Sequence, residues 1–244
     1  MTDTIIAFRM DSQIREFLLS KPLQSLPIIG FFQNYKLDKV VRNGDLLLLM
    51  GTSDFPWAYL CGDNPEDLYM VLEKFNYETT YFANVEEWML PILTHIKKIE
   101  WKLSTHRYYL TPDRIVDPPE MISRRLDPSM SLYIFENSAY KDFTSEYYIQ
   151  ERLRMDVSAG IWIDGKLVGW GLTHDDTSLG FLNVLPEYRG KGLGESILRA
   201  LIIEKRSQKD NIFVNIEPHN HQSINLIKKL GFSFDREVSW LKLS

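Results

Sequence analysis

The sequence predicts an α/β chain of the α+β kind, with a mixed central sheet flanked by helices. Three observations carry this. Apolar runs of strand length alternate with runs of helical period along the 244 residues. Asp164-Gly165 separates SAGIWID from KLVGWGLT, as the turn of a hairpin does. A glycine-rich stretch, PEYRGKGLGESI at 186–197, joins a strand pattern to a helix pattern.

The length suits one large domain or two small ones. Four prolines and many charges in TPDRIVDPPEMISRRLDPS, residues 111–129, mark a seam. The expected domains are therefore 1–118 and 119–244.

In the first half, helical patterns cover about 11–20 and 22–35, and DLLLLMG and PWAYLCG read as strands. Asn64-Pro65-Glu66 opens a helix: a capping side chain, a proline at the first helical position, then an acid in the first turn. LYMVLEKF continues it. A strand at TTYFA, a helix at VEEWMLPILTHI bent or ended near Pro91, and a strand at 98–110 follow.

In the second half, MISRR reads as a short strand, and Asp127-Pro128 opens a helix to about Asn137. SEYYIQERLRM is a second helix. After the hairpin, SLGFLNVL is a strand, ESILRALIIEKR a helix and NIFVNIE a strand. Asn220 starts a last helix that Gly231 ends, and FSFDREVSWLKL supplies the final strands, giving the order βααβββαβαββ.

Composition narrows the function. Apolar residues make 44% and charged residues 25%, an ordinary globular balance, and a net charge of −5 argues against a general nucleic-acid binder. The single cysteine, Cys61, excludes an internal disulfide and reads as a packed apolar residue. MTDTIIAFRM lacks the apolar core of a signal peptide, and LLLLM is too short to span a bilayer, so a cytoplasmic protein with no membrane contact is expected.

The glycine stretch carries the chemistry. Leu193, Ile197, Leu198, Leu201 and Ile202 share one apolar face, so the helix begins inside it. First-turn N–H groups lack internal partners, and the helix dipole favours an anion there. Glycines let a ligand approach the main chain, and Arg189 and Lys191 add charge. The result is a cradle for phosphate or pyrophosphate. It is not a Walker loop, because Gly192 rather than Ser or Thr follows Gly190-Lys191, and it lacks the third glycine of a dinucleotide fingerprint. The bland alternative, a glycine turn with surface charges, is weaker in this context.

The run from Val184 to Gly194, V-x-P-E-Y-R-G-K-G-L-G, closely resembles the coenzyme-A loop of the GNAT superfamily of N-acyltransferases. Arg189, Gly192 and Gly194 match its core pattern. NHQSINLIKKLGF at 220–232 resembles the family's second signature through Asn220, Ser223, Leu226, Leu230, Gly231 and Phe232. The resemblance covers about 120–244, and the element order fits it. It implies a GNAT fold with splayed strands, preceded by a second, degenerate GNAT-like α/β half without a cofactor loop.

The resemblance also implies acetyl-CoA, or another acyl-CoA, as cosubstrate. Its pyrophosphate would rest on Arg189, Gly190, Lys191, Gly192, Leu193, Gly194 and Glu195. Its pantetheine arm would run along Leu182, Asn183 and Val184, and Asn220 and Ser223 complete the cofactor set. A backbone N–H near Val184 would polarise the thioester carbonyl, and proximity would supply much of the rate.

Two positions depart from the family. Ile227 stands where some members carry a tyrosine acid, and Ser178 where some carry a glutamate base; neither side chain alone does that work at neutral pH. Glu217 and Ser178 are the candidate catalytic residues, with a solvated strand end as the plain alternative for Glu217. Asp175 and Asp176 read as a charged connecting loop. His219 and His221 have poor metal spacing, so no metal is expected. WGLTHDDTSLGFLNVLPEYRGKGL resembles glycine N-acyltransferase-like proteins, although Ser178 puts glycine as substrate in doubt.

The expected activity is transfer of an acetyl or other short acyl group to a primary amine. The alternatives are a non-catalytic acyl-CoA-binding module, and an acceptor that is a protein N-terminus or lysine. The aromatic first half is expected to wall the acceptor pocket or to bury a homodimer interface.

Overall fold

The computed structural model describes residues 11–95, 97–138 and 140–244. The stretch MTDTIIAFR and Met10, on which the signal-peptide reading rests, lies outside them. The chain divides into two compact units. One holds the residues up to Tyr108 with Asn215–Ile224 and Ser233–Ser244; the other holds Tyr109–Val214 and Asn225–Phe232. This differs from the division expected at 118/119. The last strand, β10 (Ser233–Leu243), belongs to the first unit because it pairs antiparallel with β4 (Tyr81–Val85), Leu241 opposite Phe82.

The first unit opens with α1 (Ser12–Ser20) and α2 (Leu26–Asn34), then β1 (Lys39–Asn43), β2 (Leu46–Thr52) and β3 (Pro56–Gly62). α3 (Pro65–Phe75) leads to β4, a 3-10 turn and α4 (Leu90–Leu93), and β5 (Ile99–Leu110) follows. The sheet order is β1-β2-β3-β4-β10-β5, ending on β9 (Ile212–Ile216), whose last two residues lie in this unit. β1, β2 and β3 run antiparallel, and β3 and β4 run parallel.

The run of leucines in β2 has a packing reason. Leu46 and Leu48 enter a core with α3 residues Leu68, Val71, Leu72 and Phe75. Leu47 and Leu49 enter a second core with Ile28, Phe31 and Phe32 of α2. Alternation sends successive side chains to opposite faces, and both faces are covered, so no polar residue interrupts the strand. Cys61 lies in the second core, where burial pushes its thiol up to about 12.

The second unit contains α5 (Ser131–Glu136), α6 (Glu146–Met155) and a sheet of order β6-β7-β8: β6 (Ser158–Ile163), β7 (Lys166–Thr173) and β8 (Leu179–Val184). α7 (Leu193–Ser207) packs on that sheet through buried Leu193, Ile197, Leu198, Leu201 and Ile202. Each such side chain contributes about 1.5–3 kcal/mol of transfer free energy. Gly169 and Gly171 let the helix approach, since a Cβ on Gly171 would meet Ile197 Cγ2 at 2.9 Å and Leu201 Cδ1 at 3.0 Å. Buried Lys205 donates to Asp156 and Asp210, fixing the far end of α7. α8 (His221–Lys229) spans both units.

Several elements differ from the expectation. β1 is a strand that the sequence reading left out. The second helix starts at Leu26 rather than 22, beside Pro27. MISRR reduces to one bridge between Arg124 and Gly160. FSFDREVSWLKL holds one strand rather than two, for it contains no Gly, Pro or Asn to turn the chain.

Candidate functional site

β8 pairs with β7 on one side, and among the described residues no strand pairs with its other edge. Phe181 has φ 49°, and the β7 register shifts between Trp170 and Leu172, so β8 carries a bulge there. After Val184 the chain makes a 3-10 turn at Pro186–Tyr188 and reaches Arg189 in extended conformation. Arg189 Nε donates to the Val184 carbonyl at 2.9 Å. Gly190 and Gly192 then adopt φ +74° and +77°, which L side chains rarely enter.

Gly192 is the N-cap of α7, and no side chain caps that helix. A Cβ on Gly190 or Gly192 would meet nothing within 4 Å. The first turn thus begins without a side-chain cap, beside two glycines that place no side chain in the space next to it. Lys191 Nζ lies 5.2 Å from the Tyr188 ring centre, a cation over an aromatic face. Leu193 is buried, so it presents only main chain to a ligand.

Glu195 puts a negative charge in the same turn, and the structure neutralises it. Lys229 Nζ lies 2.6 Å from Oε2, and Arg199 lies 2.8 Å from Oε1. The hydrogen bonds from Lys229 and then Arg199 hold the carboxyl below its ordinary range. Arg199 also reaches Asp117, and Arg206 bonds the carbonyls of Thr111 and Arg114, which ties part of the proline-rich segment to α7. A Cβ on Gly194 would make ordinary contact with Leu226, Leu182 and Val184, which packs the loop's last glycine on β8 and α8.

These residues fit a pyrophosphate and the amide arm of an acyl-CoA. The loop offers uncapped N–H groups, Lys191 and an approach clear of side chains, and the second unit brings Leu182, Asn183, Val184 and residues 189–195 together. Asn183 Nδ2 donates to the Asn137 carbonyl at 3.4 Å. Glu217, Asn220 and Ser223 fall in the other unit. Asn220 there caps α8, its Oδ1 accepting from Ser223 N at 3.1 Å.

The candidate proton-transfer residues are placed as follows. Ser178 is buried, and both its N and its Oγ donate to Asp176 Oδ1, at 2.9 and 2.6 Å. Asp175 and Asp176 lie in the connecting loop between β7 and β8, as the sequence reads, and they are buried there. They shape a tight turn in which Thr177 has φ 67° and Asp175 N donates to Tyr148 Oη. Glu217 is part-buried, 3.6 Å from His219 Nε2. Ile227 is a core residue, 2% exposed. Lys229 and Arg199 are the site residues that sequence reasoning missed. Arg199 could have been found as the i+4 partner of Glu195.

Residues 160–241 match the FR47-like protein family. Over 115 residues the chain is 29% identical to a Bacillus subtilis (strain 168) protein named for [ribosomal protein bS18]-alanine N-acetyltransferase activity, covering 44% of this chain and 76% of that one. A Drosophila protein of known structure superposes with TM-score 0.73 at 20% identity, over 82% of this chain and 74% of that one. A GCN5-related N-acetyltransferase from Kribbella flavida gives 0.61 at 13% identity, over 90% and 94%. A tandem GNAT protein from the clavulanic acid biosynthesis pathway gives 0.52 at 17% identity, over 89% and 87%. The fold is the GNAT fold. The sequence likeness to acetyltransferases lies in residues 160–241 and in the 115 residues aligned with the Bacillus protein.

Among the described residues, no helix is long and apolar enough to cross a membrane.

Proposed function

We propose that the protein transfers an acetyl or other short acyl group from acyl-CoA to a primary amine by direct attack in a ternary complex. The observation that carries this is the Gly190–Gly192 turn at the uncapped start of α7, directly after a strand with one edge unpaired among the described residues. In this reading the pyrophosphate takes the N–H groups of 190–195, and the amides of the pantetheine arm pair with β8 at Leu182, Asn183 and Val184. The amine nitrogen attacks the thioester carbonyl. A C–N bond forms, the C–S bond breaks, and coenzyme A leaves as a thiolate. The amine proton passes to water, which reprotonates the thiolate. Ser178 is no base in this scheme, because its hydroxyl is committed to Asp176.

The name of the Bacillus relative favours an N-terminal amine of a protein as acceptor. A non-catalytic acyl-CoA binder is the second reading, favoured by the burial of Ser178 and Ile227. Thiol release from acetyl-CoA separates them. A panel of free amines, amino acids, aminoglycosides and alanine-initiated peptides is offered to the full chain. Turnover with any of them supports the enzyme; binding of acetyl-CoA with no turnover across the panel supports the binder.

A further inference from the structure

The two units repeat one succession of elements: a helix pair, three antiparallel strands, a helix and a further strand. β3, α3 and β4 of the first unit thus correspond to β8, α7 and β9. The parallel ladder of β3 with β4 holds three pairs and ends at Tyr59–Ala83. Past it, Asn84 turns to φ 59°, and the strands part.

Side chains of the same unit fill that parting. Gln24, buried between α1 and α2, accepts from Gly62 N at 3.0 Å through Oε1 and donates to Gly62 O at 3.1 Å through Nε2. One side-chain amide thereby makes both hydrogen bonds that a neighbouring strand, or an extended amide ligand, would make to that residue. Asn84 Nδ2 donates to the carbonyls of Leu60 and Gln24, and Asn84 Oδ1 accepts from buried Arg107. The helix that follows is closed as well. Asn64 caps α3 by accepting from Asp67 N, and Glu66 and Asp67 fill its first turn, where the dipole and the charges together disfavour a phosphate.

We infer that Gln24 and Asn84 close the β3–β4 parting from within, so that the first unit takes no acyl-CoA and the chain carries one. This rests on the functional reading above for the second unit. Gln24 acts as an internal replacement for a ligand amide.

The test is hydrogen exchange on the full chain, read by segment, with and without saturating acetyl-CoA. The expected result is protection gained across 182–195 and none across 60–64. Protection gained at 60–64 overturns the inference and leaves the functional reading standing. No protection in either segment overturns the functional reading instead. The inference is then decided without ligand by Gln24→Met, which keeps the length of the side chain and removes the two hydrogen bonds to Gly62 together with those to Asp63, Glu86 and Cys61. Exchange at 60–64 should accelerate by about tenfold or more, because the bonds that close the edge are lost. Unchanged exchange there in a folded variant overturns the inference.

Discussion

Arg189 donates from Nε to the carbonyl oxygen of Val184 at 2.9 Å, joining the last residue of β8 to the start of the glycine loop. The guanidinium thus sets the direction in which the chain enters Gly190. Arg189→Lys keeps the charge and loses the planar donor. One charge-assisted hydrogen bond is worth about 1.5 kcal/mol, so the acetyl-CoA Kd should rise about tenfold by calorimetry. An unchanged Kd would mean that the bond does not organise the loop.

Gly171 should be intolerant of a side chain. Its Cβ would meet Ile197 and Leu201 at 2.9 and 3.0 Å, on the face where α7 packs. Gly171→Ala should lower the unfolding free energy by about 1–3 kcal/mol, as overpacking does. Urea denaturation checks it, and a neutral result would show that both side chains yield without displacing the helix.

Glu195 gives a pH signature. Lys229 and Arg199 hold its carboxyl below the ordinary range, so the folded state binds fewer protons than the unfolded one. The stabilisation is present above the ordinary carboxylate value and is lost as pH falls through the folded value. The Tm difference between wild type and Glu195→Gln should be constant near neutral pH and shrink below about pH 4. A difference that persists in acid would assign the effect to something other than the two ion pairs.

Ile227 stands where some members of the resembling family carry a tyrosine acid, and it is buried. Its burial changes the expected outcome of restoring one. Ile227→Tyr adds a larger, polar side chain to a packed core, so Tm should drop, at a cost of about 1–3 kcal/mol. A variant as stable as wild type with a raised kcat would show that the ring reaches the thioester.

Much of the fold is legible in the sequence, because the signals are local. Asn64 caps its helix as its Asn-Pro-Glu context indicates, Asp164-Gly165 turns a hairpin, and DLLLLMG forms the strand it reads as. What escaped depends on distance along the chain. Nothing near 233–243 says that this strand pairs with residues 81–85. Lys229 meets Glu195 only after the chain folds across 34 positions. The capture of the Ser178 hydroxyl by Asp176 is local by contrast, and it depends on the conformation of the turn rather than on residue type. The glycine loop was readable because its function needs glycines at fixed spacing, whereas Gln24 closes its strand edge by a contact that no motif encodes.

The central claim is that residues 189–194 hold acyl-CoA through their main chain, and calorimetric titration of acetyl-CoA into wild type and Gly192→Val tests it most directly. Gly192 has φ +77° with open space beyond its Cα, so valine both strains the turn and obstructs the approach to the N–H groups. The account predicts saturable binding to wild type and none to a folded Gly192→Val variant. Equal affinity in the two proteins, with the variant's fold confirmed by circular dichroism, would contradict it.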